Sequence, residues 1–357
     1  MADDCEARAA SVCLDKSARC GEKIAAARKA CRAKNPPNAA DGILATTFSL
    51  NGDGRGKSST NTYTNPLFDG ADPGVIKVGN TWYAYVTMNA VSSSKDLKTW
   101  TPPQGQPLSA PSGWAPEVYA LGGGALGGKF YNVYSGTREG EPNPGPNTSH
   151  AVFVDVADGP NGPWKRWSGP LLPWGWIDGH IFRDDDGKMY MYASWPGTHG
   201  VNVWDLAPDL KSASKTAVFC FDHKSHPIPQ HTEPVTEGPY VLKRKGWYYL
   251  TASMNACCTG TQYGLRYVVS KSPKGPWTDP TKVPLLWKNG DVVGVGHHSF
   301  GVGPNGGLFA MYHAQKVPGT DNREVFISKA RFEADPNGGP DVLKIDPPVR
   351  GKALAVP

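Results

Sequence analysis

The chain has 357 residues and no apolar run approaching the roughly 18 that a membrane-spanning helix needs, so no helical span is expected within it. Nothing in it has the make-up of a signal-peptide core either. Charge is sparse. Asp, Glu, Lys and Arg make up only 19% of the residues, and the 37 Lys and Arg exceed the 32 Asp and Glu by a margin too small for a nucleic-acid-binding surface. Much of that margin sits in Arg19, Lys23, Arg28, Lys29, Arg32 and Lys34, which read as one solvated helix face. Zinc-ligand spacing is missing too. Cys5, Cys13, Cys20 and Cys31 lie far apart with no histidine near them, so disulfides are a better account than zinc or free thiols. Cys5 with Cys31 and Cys13 with Cys20 is one of three possible connectivities. Disulfides imply an oxidising compartment, hence a secreted protein. Of the other cysteines, Cys257 and Cys258 suit a vicinal bridge, with Cys220 bonded to either as the alternative. The triplet Asn147-Thr148-Ser149 meets the glycosylation rule.

What the chain has in abundance is punctuation and aromatic bulk. Its 42 Gly, 33 Pro, 12 Trp, 14 Tyr and 11 Phe describe many short strands joined by tight turns. Residues 1–40 are expected to form a cysteine-rich helical hairpin and 41–65 a linker. Beyond these a hairpin phrase occurs five times: Gly79-Asn80-Thr81-Trp82-Tyr83, Gly127-Gly128-Lys129-Phe130-Tyr131, Asp186-Gly187-Lys188-Met189-Tyr190, Lys245-Gly246-Trp247-Tyr248 and Asn305-Gly306-Gly307-Leu308-Phe309. The anchors Trp82, Phe130, Met189, Trp247 and Leu308 are 48, 59, 58 and 61 residues apart, a repeat. A second phrase runs through turn residues into Trp100, Trp164 and Trp277, which suits a blade edge packed on its neighbour. The expected fold is all-β: a five-bladed β-propeller over residues 66–350, behind the short disulfide-linked helical segment.

Each anchor is preceded by a polar residue at nearly constant offset. Asp72, Glu117, Asp178, Glu237 and His297 lie 10, 13, 11, 10 and 11 residues before their anchors. In a propeller the first residues of each innermost strand reach one mouth of the axial channel, so four carboxyl groups and an imidazole are expected to converge there. Like charges crowded at low dielectric favour a proton on at least one of them. Stability gives no reason to gather them, whereas cleavage between two sugars requires two carboxyl groups in different protonation states.

These residues resemble glycoside hydrolase family 43. Ala71-Asp72-Pro73 resembles its general-base motif, Ile177-Asp178 with Phe182-x-Asp184-Asp185-Asp186-Gly187-Lys188-x-Tyr190 its third-carboxylate segment, and Glu237-Gly238-Pro239 its general-acid motif. The resemblance implies an inverting enzyme in which Asp72 activates water, Glu237 protonates the leaving oxygen and Asp178 raises and orients the acid. Trp114-Ala115-Pro116-Glu117 and Gly296-His297-x-Ser299-Phe300 with Tyr312-His313 resemble the second and fifth blades. Through these, Glu117 is implied to orient groups or touch substrate. His297 is implied to hold an axial calcium or sodium through water, or to steady the water network without a metal; the chemistry itself requires no cofactor. His298 stands where relatives often carry Asn, and it is taken with Arg266 as a substrate contact. Trp114, Trp174, Trp176 and Trp195 are sugar-stacking candidates.

The motifs look most like the branch of α-L-arabinofuranosidases and exo-acting arabinanases. A secreted monomer acting on an oligo- or polysaccharide, releasing α-L-arabinofuranose from arabinan or arabinose-decorated polymer, is therefore expected. A β-xylosidase, an exo-β-1,3-galactanase and a noncatalytic sugar-binding propeller are the alternatives on the same scaffold.

Overall fold

The computed structural model describes residues 52–357 apart from 111, 122–125, 138–148 and 196–199. The expected helical hairpin with its four cysteines, and Asn147 and Thr148 of the sequon, lie outside the described residues.

Two short strands, β1 (Thr62–Thr64) and β2 (Phe68–Asp69), precede five sheets arranged as blades. Blade one is β3 (Gly74–Val78), β4 (Thr81–Val86), β5 (Ala90–Ser94) and β6 (Gln104–Gly105). Blade two is β7 (Trp114–Leu121), β8 (Lys129–Gly136), β9 (Ala151–Ala157) and β10 (Lys165–Ser168). Blade three is β11 (Ile177–Arg183), β12 (Met189–Trp195), β13 (Gly200–Leu206) and β14 (Val218–Phe221). Blade four is β15 (Thr236–Arg244), β16 (Trp247–Met254) and β17 (Gly264–Ser270), its outer edge reduced to isolated bridges at Leu265–Leu286 and Val269–Thr278. Blade five is β18 (Gly296–Val302), β19 (Leu308–Gln315) and β20 (Arg323–Glu333), with β21 (Val342–Ile345) and the early strand β2 both on β20. The last strand, β22 (Ala353–Ala355), pairs with β1.

All five expected hairpins form. Their glycines, Gly79, Gly128, Gly187, Gly246 and Gly306, have positive φ, where a Cβ is strained. Alternation along each strand then divides side chains between two neighbours. On β4, Trp82, Ala84 and Val86 pack against Phe309 and Met311 of blade five, while Tyr83 and Tyr85 face Val118 of blade two. On β12, Met189, Met191 and Ala193 meet Val133 and Val154 of blade two, while Tyr190 and Tyr192 meet Val241 and Leu250 of blade four. Blades four and five share the largest such cluster, through Tyr249, Leu265, Tyr312 and Phe332. The core is thus five seams between blades. The second phrase does what was expected of it: Trp100, Trp164 and Trp277 each enter the seam with the preceding blade.

Closure joins the two ends of the propeller. Phe68 and Asp69 pair with Val325 and Glu324, so an N-terminal strand completes the last blade. The buried Asn65 clamps the join: its Oδ1 accepts the Ile327 N–H at 3.0 Å and its Nδ2 donates to the Ile327 carbonyl at 2.9 Å and that of Val349 at 3.3 Å. The described part of the expected linker is therefore packed on blade five, with Arg55 bridged to Gly307 and Tyr63 donating to the Ile327 carbonyl. Replacing Asn65 with Leu keeps the branched shape but strands the Ile327 N–H away from water, while the Ile327 carbonyl keeps the Tyr63 hydroxyl. N65L is expected to lose roughly 1–3 kcal/mol of stability in urea unfolding, the cost of one orphaned buried group; a change within about 0.5 kcal/mol, typical of surface sites, would remove the clamp.

Candidate active site

Each innermost strand begins with one residue in the left-handed region: Asp72 (φ 54°), Ala115 (46°), Asp178 (56°), Gly238 (57°) and His297 (35°). In blades two to five the ladder slips at that residue, as a bulge. The kink turns the residue's N–H sideways, out of its own sheet, and a side chain on or just past the second strand of the preceding blade engages it. Ala115 donates to Thr87 Oγ1 (3.1 Å), Asp178 to Ser135 Oγ (2.9 Å), His297 to Ser253 Oγ (2.9 Å) and Asp72 to His313 Nδ1 (3.1 Å). The fifth link differs. Gly238 donates to Asp178 Oδ2 (3.2 Å), to which Ser194 of β12 also donates (3.3 Å). These links run round the ring and fix the mouth.

Asp72, Asp178 and His297 are brought together as expected. His297 Nδ1 lies 3.7 Å from Asp72 Oδ1 and 4.0 Å from Asp178 Oδ2. Glu237 precedes the left-handed Gly238, and its Oε1 accepts the Tyr263 hydroxyl at 2.8 Å. Gly238 is required here, because a Cβ would sit 3.0 Å from the His297 ring.

Glu117 departs from the expected phase. Blade two's kinked residue is Ala115, and Glu117 lies two positions further along β7, opposite Val133. Its Oε2 contacts His180 Nδ1 at 2.9 Å and accepts the Tyr119 hydroxyl in a short bond, a pair set further down the channel wall.

The three acids have different electrostatic surroundings. Burial alone would raise the Asp72 carboxyl, but the His297 ring and the Arg323 guanidinium beside it outweigh that and hold Asp72 well below the carboxylate range. Arg323 carries the permanent charge, with Nη1 3.0 Å from Asp72 Oδ1. His313 is neutral: its Nδ1 accepts the Asp72 N–H, and burial pushes its pKa down to about 4. Thr87 donates to the other oxygen, Oδ2, at 2.5 Å. Asp178 is raised by burial, partly offset by His297, and raised again by the charge of Asp72. Glu237 is pushed up to about 8, by burial first and then by Asp178. The arrangement can therefore hold an ionised carboxylate at Asp72 while Glu237 keeps its proton at neutral pH, the division acid–base work demands.

The outer candidates fare unequally. Trp114 is 40% exposed at the mouth and stacks on His150 at 3.5 Å, presenting a flat face. Trp176 is buried in the seam of blades two and three, edge-on to Trp195 at 5.5 Å and Trp204 at 4.7 Å, so burial takes it out of reach as a sugar platform. Trp195 is half-buried against the same seam, and Trp174 packs edge-on to Phe153. Arg266 is corrected outright. It lies on β17, away from the channel, paired with Asp279 at 2.7 Å and His231 at 2.9 Å, because a buried guanidinium must find a fixed counter-charge. His298 is buried in the channel wall, its Nε2 2.6 Å from Thr251 Oγ1. Cys257 and Cys258 form the vicinal bridge, leaving Cys220 buried and unbonded. Among the described residues no three His, Cys, Asp or Glu side chains are grouped to hold a metal directly.

Sequence reading missed Thr87, Ser135 and Ser253 as ring acceptors and Ser194 as the donor that supports Asp178. Their signal was a polar residue five positions after the anchor, six in blade four. Arg323 and Tyr263 carried no comparable signal.

The raised acid has a consequence for stability. Between its unfolded value of 4.5 and its folded value of about 8, the folded Glu237 holds a proton that the unfolded chain releases, so folding loses free energy as pH rises through that window. Glu237→Gln removes this burden. E237Q is expected to melt above the wild type at pH 7–8, with the gap closing towards pH 4.5, in calorimetry across that range. Equal melting temperatures at pH 8 would show that Glu237 is not raised.

The chain matches the family model for glycosyl hydrolases family 43 over residues 63–337. It is 29% identical to the β-D-galactofuranosidase xynD of Aspergillus niger, over 75% of this chain and 82% of that protein. It is 28% identical to the extracellular exo-α-(1→5)-L-arabinofuranosidase ArbA of Cellvibrio japonicus, over 64% and 74%. The crystal structure of a thermostable family-43 glycoside hydrolase superposes with a TM-score of 0.70 at 28% identity, covering 82% of this chain and 99% of the other. On the extent of the family match, with the propeller and its axial acids in place, the chain belongs to glycosyl hydrolases family 43.

Proposed function

We propose that this glycosidase is an inverting, exo-acting enzyme that releases α-L-arabinofuranose from arabinan or arabinose-decorated plant polysaccharide. The observation that carries the mechanism is the opposite displacement of two carboxyl groups at one mouth, Asp72 downward and Glu237 up to about 8. Asp72, held by Arg323 and Thr87, takes the proton of the attacking water. Glu237 gives its proton to the departing sugar oxygen, and its Tyr263 bond fixes which oxygen faces the substrate. Asp178 touches neither reacting atom in this scheme; its charge keeps the proton on Glu237, and the Gly238 bond ties the two segments together. An axial ion held through water beside His297 would adjust the charge balance, and no step runs through it.

Deep burial of Asp178 and Glu237 suits a terminal sugar entering end-on, with Trp114 at the rim under the next unit. A furanose is favoured by two similar enzymes of this family, one whose name gives α-L-arabinofuranose and one β-D-galactofuranose. These sugars share the configuration of every ring carbon and differ in the exocyclic tail, so one ring pocket can serve both. Similar proteins described as extracellular, with the cysteine usage, support secretion.

Aryl α-L-arabinofuranoside, β-D-galactofuranoside, β-D-xyloside and β-D-galactoside separate the substrate readings. The arabinofuranoside is expected to give the highest kcat/KM; preference for xyloside or galactoside rejects the furanose assignment, and turnover of none supports a sugar-binding propeller. Proton NMR of the first product is expected to show the inverted anomer, as required for an acid and base roughly 6.5–9.5 Å apart. D72N and E237Q should each lower kcat on arabino-oligosaccharide by about 10²–10⁴-fold. The alkaline limb of kcat/KM should lie near pH 8 and move down in D178N, which removes the charge that supports the acid. A limb that stays put would free Asp178 of that role.

A further inference from the structure

Glu237 and Asp72 belong to blades four and one, and the seam between them is occupied by blade five. Two rings span that distance. Tyr263, the residue just before β17, donates its hydroxyl to Glu237 Oε1 at 2.8 Å. Its ring lies flat on that of His313, with centroids 5.6 Å apart and planes within 8°. His313 in turn accepts the Asp72 N–H through Nδ1. Both rings are fully buried. Room for Tyr263 is made by Gly296, where a Cβ would fall 2.3 Å from the tyrosine ring. At the place in the ring of N–H links where blades one to four use Thr87, Ser135, Ser194 and Ser253, blade five alone presents an aromatic acceptor, and that is the acceptor Tyr263 stacks on.

We propose that Tyr263 and His313 form a rigid spacer that sets the position of the general acid relative to the general base, Tyr263 being the positioning residue for Glu237 and His313 its brace. The proposal rests on the assignment of Glu237 as acid and Asp72 as base. It adds that the two are mechanically joined. A serine at position 313 would satisfy Asp72 as Ser135 and Ser253 satisfy Asp178 and His297, but the tyrosine would lose the ring stacked on that face and keep only its packing on Gly296. Loss of that brace loosens the Tyr263 hydroxyl from Glu237, although position 313 itself touches only the base.

The direction of the effect follows from the bond. A hydroxyl donated to a carboxyl group favours the ionised form, so removing it raises the pKa of Glu237. Tyr263→Phe keeps the stack and loses the donor. It is expected to move the alkaline limb of kcat/KM upward by roughly half to one pH unit, with kcat down about 3–10-fold, as one hydrogen bond's worth predicts. His313→Ser keeps an acceptor for Asp72 and loses the stack. It is expected to move the same alkaline limb in the same direction, and the double variant Y263F/H313S to move it no further than Y263F alone. A merely structural role would lower the melting temperature and leave the limb in place.

An unmoved or lowered limb in Y263F overturns the role of the hydroxyl. A limb unmoved in H313S, or a double variant whose shifts add, overturns the spacer. E237Q on the same arabino-oligosaccharide distinguishes these failures from failure of the underlying assignment: if E237Q retains turnover, Glu237 is not the acid and the whole reading falls. If E237Q is inactive, an unmoved limb in the ring variants rejects the spacer alone.

Discussion

Everything at the mouth of this propeller depends on where five backbone N–H groups go. A strand entering its sheet normally gives its N–H groups to the neighbouring strand, but the left-handed residue at the head of each innermost strand points one of them across the seam. A buried N–H without a partner is costly, so each blade must offer an acceptor to the next. Four blades do so with Thr87, Ser135, Ser253 and His313, while in blade three Ser194 supports Asp178, whose carboxylate receives Gly238. The ring of links fixes side chains as well as backbone. A residue in the left-handed region holds its Cβ at a set angle, and non-glycine residues accept that strain only where the surroundings impose it. Asp72, Asp178 and His297 are held on the axis by this means.

The charge pattern rests on the same framework. Nothing local to Asp72 would keep it ionised in a buried site; the groups that do so, His297 and the Arg323 guanidinium, both come from blade five, Arg323 from 251 positions away. It arrives because β2 closes blade five: Asp69 pairs with Glu324, Gly70 donates to the Arg323 carbonyl, and the two side chains then meet over the join. The pairing that closes the ring is thus also the one that brings the guanidinium to Asp72. Glu237 has no such cation, and Asp178 stands beside it. One topology therefore pushes two similar carboxyl groups in opposite directions, at a stability cost accepted at Glu237. That cost is carried by seams of interdigitated aromatic and aliphatic side chains on both faces of every blade, where burial contributes about 25 cal/mol per Å².

Much of this was legible in the sequence, and the reason is local. A hairpin needs a residue tolerant of positive φ followed by side chains that can fill a seam, so Gly79 with Trp82, or Gly187 with Met189, leaves a mark within a few positions. The distance from the channel to the hairpin is the length of one strand, which is why Asp72, Asp178 and His297 could be counted into phase. Counting failed at Glu117 because the hairpin of blade two is longer: Phe130 pairs with Ala120, ten positions back, where Trp82 pairs with Lys77, five back, so the kink falls at Ala115 and Glu117 lies beyond it. Composition could not tell Trp114 from Trp176, since a tryptophan facing the mouth and one wedged between Trp195 and Trp204 read alike. Arg266 looked like a site residue because an arginine in a strand demands a partner, and only the fold says that the partner is Asp279. Arg323 and Tyr263 depend on meetings across the ring that no spacing encodes.

The division between ring and rim also says where specificity must reside. The carboxyl groups, their N–H links and the walls beneath them are locked by bonds from several blades, so they can be altered little without disturbing the chemistry. The rim is freer. Trp114 projects from the start of β7, one residue before the kink, and is backed by His150, which burial lowers to about 4 and so keeps uncharged over the working range. A neutral ring behind an indole makes a thick flat surface with no charge to repel or attract, suited to the apolar face of a sugar and indifferent to its linkage. Discrimination between one sugar and another must then come from groups at the mouth, around the indole, and not from the locked carboxyl groups. On this scaffold a change of substrate is expected to leave the axial residues untouched and to act at the mouth.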